Sequence, residues 1–421
     1  MSALSRMPIR ERLMALLMVT GIFVSVEPAP FDVGAVALAG LFLLTRQLRL
    51  PRITPLVHVL LALVVASNLV SLVFARNMTR AYVFLAVTLY LVMLWGLVVL
   101  SLGKRPAQMT RAILVGYTIG AAIAAVTGIA AYLGAPILGP IMVPDRRLVG
   151  LFKDPNVYGA YMGPAAVFAV SQVVHERGMA RLVWLGTLAV CGGAVFLSFS
   201  RGAWINATVG VTSFFLLFSF ADGLSKVWWR TIVLLPVALV VLAGFAWQLV
   251  SVDAIAEMFE VRFGYQQYDD VRFAIQLRAV ETALQHPLGL GPGSTEAAVG
   301  RSAHSLYVRA LIENGLLGAL SLFAFMFLSL GRAIWVAVFS RSLEDRLRFA
   351  VIGGALVGAL VESTVIDTVH WRHFWIFLGL AWAPMPPSRV RTTGPPDVVR
   401  PPHAPGTPRH PRRGSPARDA R

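Results

Sequence analysis

The chain has 421 residues, 57% of them apolar and 14% charged, with a mean hydropathy of +0.70. A soluble domain needs a polar surface that this composition does not supply, so soluble enzymes and nucleic-acid-binding modules are excluded despite a net charge of +16. The apolar residues run continuously, as in 56–74 and 81–102, each near the ~20 residues that cross a bilayer.

Taken in order, the apolar runs predict an all-α polytopic membrane protein with about twelve spans. They fall near 13–26, 31–45, 56–74, 81–102, 112–134, 157–174, 182–199, 203–220, 231–250, 305–338, 349–366 and 371–386, the tenth overlong and expected to begin at the membrane surface. The basic Arg6, Arg10 and Arg12 before the first run also fit a signal peptide, but no small-residue cleavage site follows. One alternate set of loops holds Arg46, Arg49 and Arg52, then Lys104, Arg105 and Arg111, then Arg177 and Arg181, Lys226 and Arg230, and Arg341, Arg346 and Arg348. Short loops rich in cations are cytoplasmic, so both termini are expected inside. The organisation reads as spans one to nine over 1–250, a large external loop over 251–304, three more spans over 305–386 and a basic Pro/Arg-rich tail over 387–421 that is expected to be disordered. The single cysteine, Cys191, lies inside a span, so no intramolecular disulfide and no Cys-based metal site is expected.

The external loops break the charge rule. They carry Arg76, Arg80, Arg146, Arg147, Lys153, Arg201, Arg262, Arg272, Arg278 and Arg301. Cations placed against the topological bias need a compensating interaction, and the arginine fork suits phosphate or carboxylate. The alternative is pairing with external acids such as Asp145, Asp154, Asp269 and Asp270, or with lipid phosphates. Arg201 is the most constrained, because the Ser200-Arg201-Gly202 connection joins two spans directly. In the large loop a helix is expected around 270–285, with Val271, Ala274, Leu277 and Leu284 on one face and Arg272 and Arg278 on other sides. Gly289, Gly291 and Gly293 follow; with no strand before them they read as a turn returning the chain to the membrane rather than a nucleotide cradle. His304 then stands at the external membrane boundary, where it is either a structural hydrogen-bonder or a proton acceptor. Asn68 and Asn206, polar residues within spans, read as interhelical hydrogen-bonders.

These residues resemble the O-antigen ligase/polymerase family of bacterial membrane glycosyltransferases. His304-Ser305, nine residues and then Gly315-Leu316-Leu317-Gly318, with Glu313 ahead of the first glycine, fits the family's His-Asn/Ser/Gln, nine-residue, Gly-x-x-Gly pattern. The segment from Arg147 through Gly150 to Asp154-Pro155-Asn156, the Ser200-Arg201-Gly202 turn, and Arg272 with the His286-Pro287 to Gly291 run follow in the family's order. Two residues depart from it. Gln276 stands where an aromatic is common, leaving open whether Arg272 or Arg278 is the aligned arginine, and Ser305 replaces the commoner Asn.

The resemblance implies a GT-C-like enzyme of the bacterial inner membrane, working at its periplasmic face without metal or other cofactor. Its donor would be a glycan on undecaprenyl pyrophosphate, its acceptor lipid A-core or another glycan, and its other contacts membrane lipids rather than nucleic acid. Arg201 and Arg272 would hold the pyrophosphate, with Arg147 and Arg278 as further ligands, and His304 would orient or deprotonate the acceptor hydroxyl. Ser305, Glu313, Gly315 and Gly318 would be structural. The His304 to Gly318 spacing fits the ligase statement of the pattern, with the polymerase and a protein O-glycosyltransferase as alternatives. A secondary transporter coupled through Glu313 and Glu362 belongs to a different class; the missing internal repeat and the position of both acids near the outer helix ends count against it.

Overall fold

The computed structural model describes residues 7–49, 51, 54–135, 147–221, 257–258, 260–261 and 267–385. The expected span at 231–250, the tail at 387–421, and Arg6, Arg52, Asp145, Arg146, Lys226, Arg230 and Arg262 lie outside these residues, as does the side chain of Asp269.

Among the described residues all regular structure is helical. We number the α-helices α1 Ile9–Val19, α2 Pro30–Leu44, α3 Pro55–Ser71, α4 Met78–Ser101, α5 Pro106–Tyr132, α6 Pro155–His175, α7 Gly178–Leu197, α8 Arg201–Ala221, α9 Gln267–Gln285, α10 Thr295–Val299, α11 Leu306–Phe339, α12 Leu343–Glu362 and α13 Arg372–Leu380. Proline opens α2, α3, α5 and α6, where its missing N–H is not needed.

Seven of the described helices are long and apolar enough to cross a membrane: α3 extended to Phe74, α4, α5, α6, α7, α8 and α11. Three of the expected spans are shorter, at 11 residues for α1, 15 for α2 and nine for α13. α12 reaches 20 residues but starts with Glu344, Asp345, Arg346 and Arg348. The apolar runs therefore overstate helix length where a cap or a 3-10 turn intervenes, as at Thr20–Ile22 after α1.

Between apolar helices in lipid, close approach comes from small residues rather than from a hydrophobic driving force. α8 packs on α12 in this way. A Cβ on Gly354 would lie 2.6 Å from the Gly210 carbonyl, and one on Gly358 would collide with Asn206. α3 packs on α11, α1 on α5, and α4 on α13.

α11 is two helices in one line. Gly315 (φ 67°, ψ −175°) interrupts it, leaving segments 306–314 and 316–339. The loops expected outside meet at one end of the bundle: Leu148 N–H donates to Leu197 O (3.0 Å), Val24 N–H to Leu151 O (3.0 Å), and Leu306 N–H to Ser363 O (3.0 Å).

Candidate active site

The segment before α6 and the turn before α8 are built together. Asp154 caps α6 by accepting from Asn156 N–H at 2.6 Å. The half-buried Arg147 donates through Nε to Ser198 O (3.1 Å) and through Nη2 to Asn156 Oδ1 (3.0 Å). It braces the two segments. In the turn, Phe199 has φ 47°. Ser198 Oγ accepts from Ser200 N–H, and Ser200 Oγ accepts from Ala203 N–H, both at 3.2 Å, which starts α8. Arg201 thus opens a helix, where the N-terminal dipole adds to its own positive charge toward an anion. Gly202 follows with its α-hydrogen side facing Glu362, whose Oε1 would lie 3.1 Å from any Cβ there.

α9 docks through its small residues, not its large ones. Ala279 and Ala283 are fully packed with Val299, Ala303, Val308 and Ile312, and Ile275 joins them. The apolar face of Val271, Ala274, Leu277 and Leu284 is exposed, Leu277 at 64% and Leu284 at 66%. Periodicity alone marks an apolar stripe but not what it faces, and beside a membrane an apolar stripe need not point inward.

Gln276 lies on the docked side, and its Nε2 donates to Ala303 O at 3.1 Å, with His304 O at 3.4 Å and Thr364 O at 3.3 Å. Arg272, one turn earlier on the same side, is half-buried. Arg278 is exposed and sits roughly 120° around the helix from Arg272. Of the two candidate arginines, it is Arg272 that α9 presents toward the His304 loop.

His304 adopts φ 46°, a conformation non-glycine residues seldom take. Its pKa is lowered below the ordinary histidine value, chiefly by burial and then by the Arg272 charge; Asp154 and Asp367 pull the other way, and Arg309 lowers it further. The imidazole is therefore held neutral at neutral pH, able to accept a proton. The same charges identify its surroundings: the heads of α6 and α11, the face of α9 and the loop after α12. Ser305, buried, starts α11 in extended conformation.

The glycine run before His304 is a wedge into the break in α11. Freed from the helix ladder at Gly315, Leu316 N–H donates to Pro287 O (2.9 Å), while Ile312 O and Glu313 O accept from Leu290 N–H (2.8 Å) and Gly291 N–H (3.2 Å). Gly318, three residues on, lets α3 approach: its Cβ would lie 2.7 Å from Ser67 Cβ.

Beneath this lies a buried charge network centred on Arg309, which sequence reasoning missed. Its guanidinium pairs with Asp367 Oδ2 (2.8 Å), Glu313 Oε1 (3.2 Å) and Glu296, and lies over the Phe84 ring. Glu313 also accepts from Thr295 Oγ1 at 2.7 Å, and Glu296 pairs with Arg80 at 2.6 Å. Burial would raise the Asp367 pKa, but Arg309 and His370 hold it at about 2. The signal was available: an arginine inside an apolar run, four residues before an acid, asks for buried partners. Arg80 here takes the pairing alternative. Asn206 bridges α8 and α12 as expected, its Nδ2 donating to Glu362 Oε2 at 2.6 Å, whereas Asn68 bonds Val64 O of its own helix instead. Next to the network, Asn68, Thr88, Arg309, Glu313, Asn314 and His370 help line a cavity of about 20 Å³, room for one water. Among the described residues no three His, Cys, Asp or Glu side chains gather as a metal-binding group.

Residues 186–323 match the family model described as O-antigen ligase. Over this stretch the chain is similar to the O-antigen ligase family. No curated protein matches the chain. The matched region contains the Ser200-Arg201-Gly202 turn, Arg272, Gln276, His304, Arg309 and the Gly315 break; Arg147 and Asp154 precede it and Asp367 follows it. The match supports an O-antigen ligase or polymerase type of function in a multi-pass membrane protein of glycosyltransferase-like chemistry.

Proposed function

We propose that the protein transfers a glycan from undecaprenyl pyrophosphate to an acceptor hydroxyl at the periplasmic face of the inner membrane, the acceptor being lipid A-core. The observation that carries this reading is the convergence of Arg272, Asp154 and Asp367 on His304 at the bundle end where Ser200-Arg201-Gly202 turns.

In the reaction the acceptor oxygen attacks the anomeric carbon, the bond from that carbon to the phosphate oxygen breaks, and the pyrophosphate leaves with the electron pair. His304 takes the hydroxyl proton as the new glycosidic bond forms, its lowered pKa keeping the ring neutral and receptive. Arg201 and Arg272 hold the pyrophosphate and stabilise the charge that grows on it; preorganised donors of this kind act most strongly on developing charge. Arg147, committed to Ser198 and Asn156, braces the Arg201 turn. Arg278, exposed on another side of α9, stays outside the reacting group.

The lipopolysaccharide of a deletion strain tests this. Loss of all capped species with polymer accumulating on the lipid carrier supports ligation; caps of a single repeat identify a polymerase instead. An unchanged pattern contradicts both.

A further inference from the structure

One amide nitrogen of Gln276 faces three backbone carbonyls. Two of them, Ala303 O at 3.1 Å and His304 O at 3.4 Å, belong to the loop that carries His304, and the third, Thr364 O at 3.3 Å, closes α12. An amide NH2 has two hydrogens to share among them, so the side chain works as a clip joining α9, the loop and α12.

The loop has need of one. His304 holds a left-handed backbone conformation at φ 46°, and its own N–H donates to the Ser302 Oγ at 3.4 Å. Conformations of this kind persist where surrounding contacts over-determine them. Arg272 stands one turn before Gln276 on the same face of α9, so the clip sets the arginine and the histidine at a fixed relation.

We propose that Gln276 is a positioning residue that holds His304 beside Arg272 by clipping the His304 loop to α9. The proposal rests on the function given above. The charged groups around His304 are Arg272 on α9, Asp154 at the head of α6, Asp367 after α12 and Arg309 on α11. Releasing the clip separates the loop from α9 alone, which weakens the one influence of Arg272 and leaves the two acids.

The test uses the full chain in native membranes with a lipid-linked glycan donor, comparing wild type, Gln276→Leu and His304→Ala. Leucine keeps the bulk and removes the N–H donors. For Gln276→Leu, kcat falls roughly 10- to 100-fold, as for a small misplacement of a reacting group, and the donor KM stays within about twofold because the clip touches no donor ligand directly. The acid limb of the rate profile moves to higher pH. Gln276→Asn, its amide one methylene too short to serve all three carbonyls, carries the same test at smaller amplitude should the leucine variant fail to accumulate. A wild-type kcat in Gln276→Leu while His304→Ala is inactive overturns the proposal. So does a loss of kcat with the acid limb unmoved, which would make Gln276 merely structural. Full activity in His304→Ala removes the parent reading and this proposal with it.

Discussion

Gly289 and Gly315 stand backbone to backbone with no room for a side chain on either. A Cβ on Gly289 would lie 2.6 Å from the Gly315 nitrogen, one on Gly315 would lie 2.7 Å from the Gly289 nitrogen, and both residues have positive φ. The break in α11 and the turn before α10 are thus one interlocked feature, and it delivers His304 to the mouth of the bundle.

Gly315→Ala should therefore destabilise strongly, by about 1–3 kcal/mol for the backbone conformation alone and more for the collision with Pro287 and Leu288. Gly331→Ala, in the same helix with nothing near its Cβ, should be neutral or slightly stabilising. Thermal unfolding of the two variants in detergent checks the contrast. Equal melting temperatures would contradict the interlock.

The Arg309 network makes stability depend on pH in a definite direction. Asp367 has a folded pKa of about 2, below its unfolded value near ~3.9. Its contribution is complete above the unfolded value and is lost as pH falls toward 2. The span of that loss is about 2–3 kcal/mol by linkage. Asp367→Asn should be less stable at neutral pH and should lose less than wild type between pH 5 and pH 2. Arg309→Met, which takes the shared cation from three acids, should cost about 3–5 kcal/mol. Unfolding measured against pH distinguishes the network from a set of solvated charges, which would show no such difference.

Arg201→Ala should lower transfer at least about 10²-fold, the scale for losing one preorganised charge donor, with the protein still in the membrane. Arg201→Lys should remain poor, since a point charge does not reproduce a planar fork. A lysine variant with near-normal rate would reduce Arg201 to steering.

Much of this was legible in the chain. Continuous apolar runs located the long helices, and the misplaced cations pointed to the loops that meet at one bundle end. The packed face of α9 was not legible, because its contacts are made by Ala279 and Ala283 while the larger Leu277 and Leu284 are exposed; volume and hydropathy favour the wrong side when alanine permits the closest approach. Gln276 read as a departure from the family's aromatic, since no local pattern reveals that an amide will face carbonyls 27, 28 and 88 positions away. Arg309 was hidden for a different reason: its acids Glu296, in α10, and Asp367, in the loop after α12, lie in separate segments, and only the Glu313 pairing is local.

The claim that His304 accepts the acceptor's proton is tested most directly by the transfer rate of His304→Gln in membranes, measured beside binding of the lipid-linked donor. Glutamine keeps a hydrogen-bonding side chain but cannot take up a proton at neutral pH. The account predicts a rate lower by on the order of 10²–10⁴ with donor binding retained, because Arg201 and Arg272 are untouched. A glutamine variant that transfers at nearly the wild-type rate would contradict proton transfer by His304.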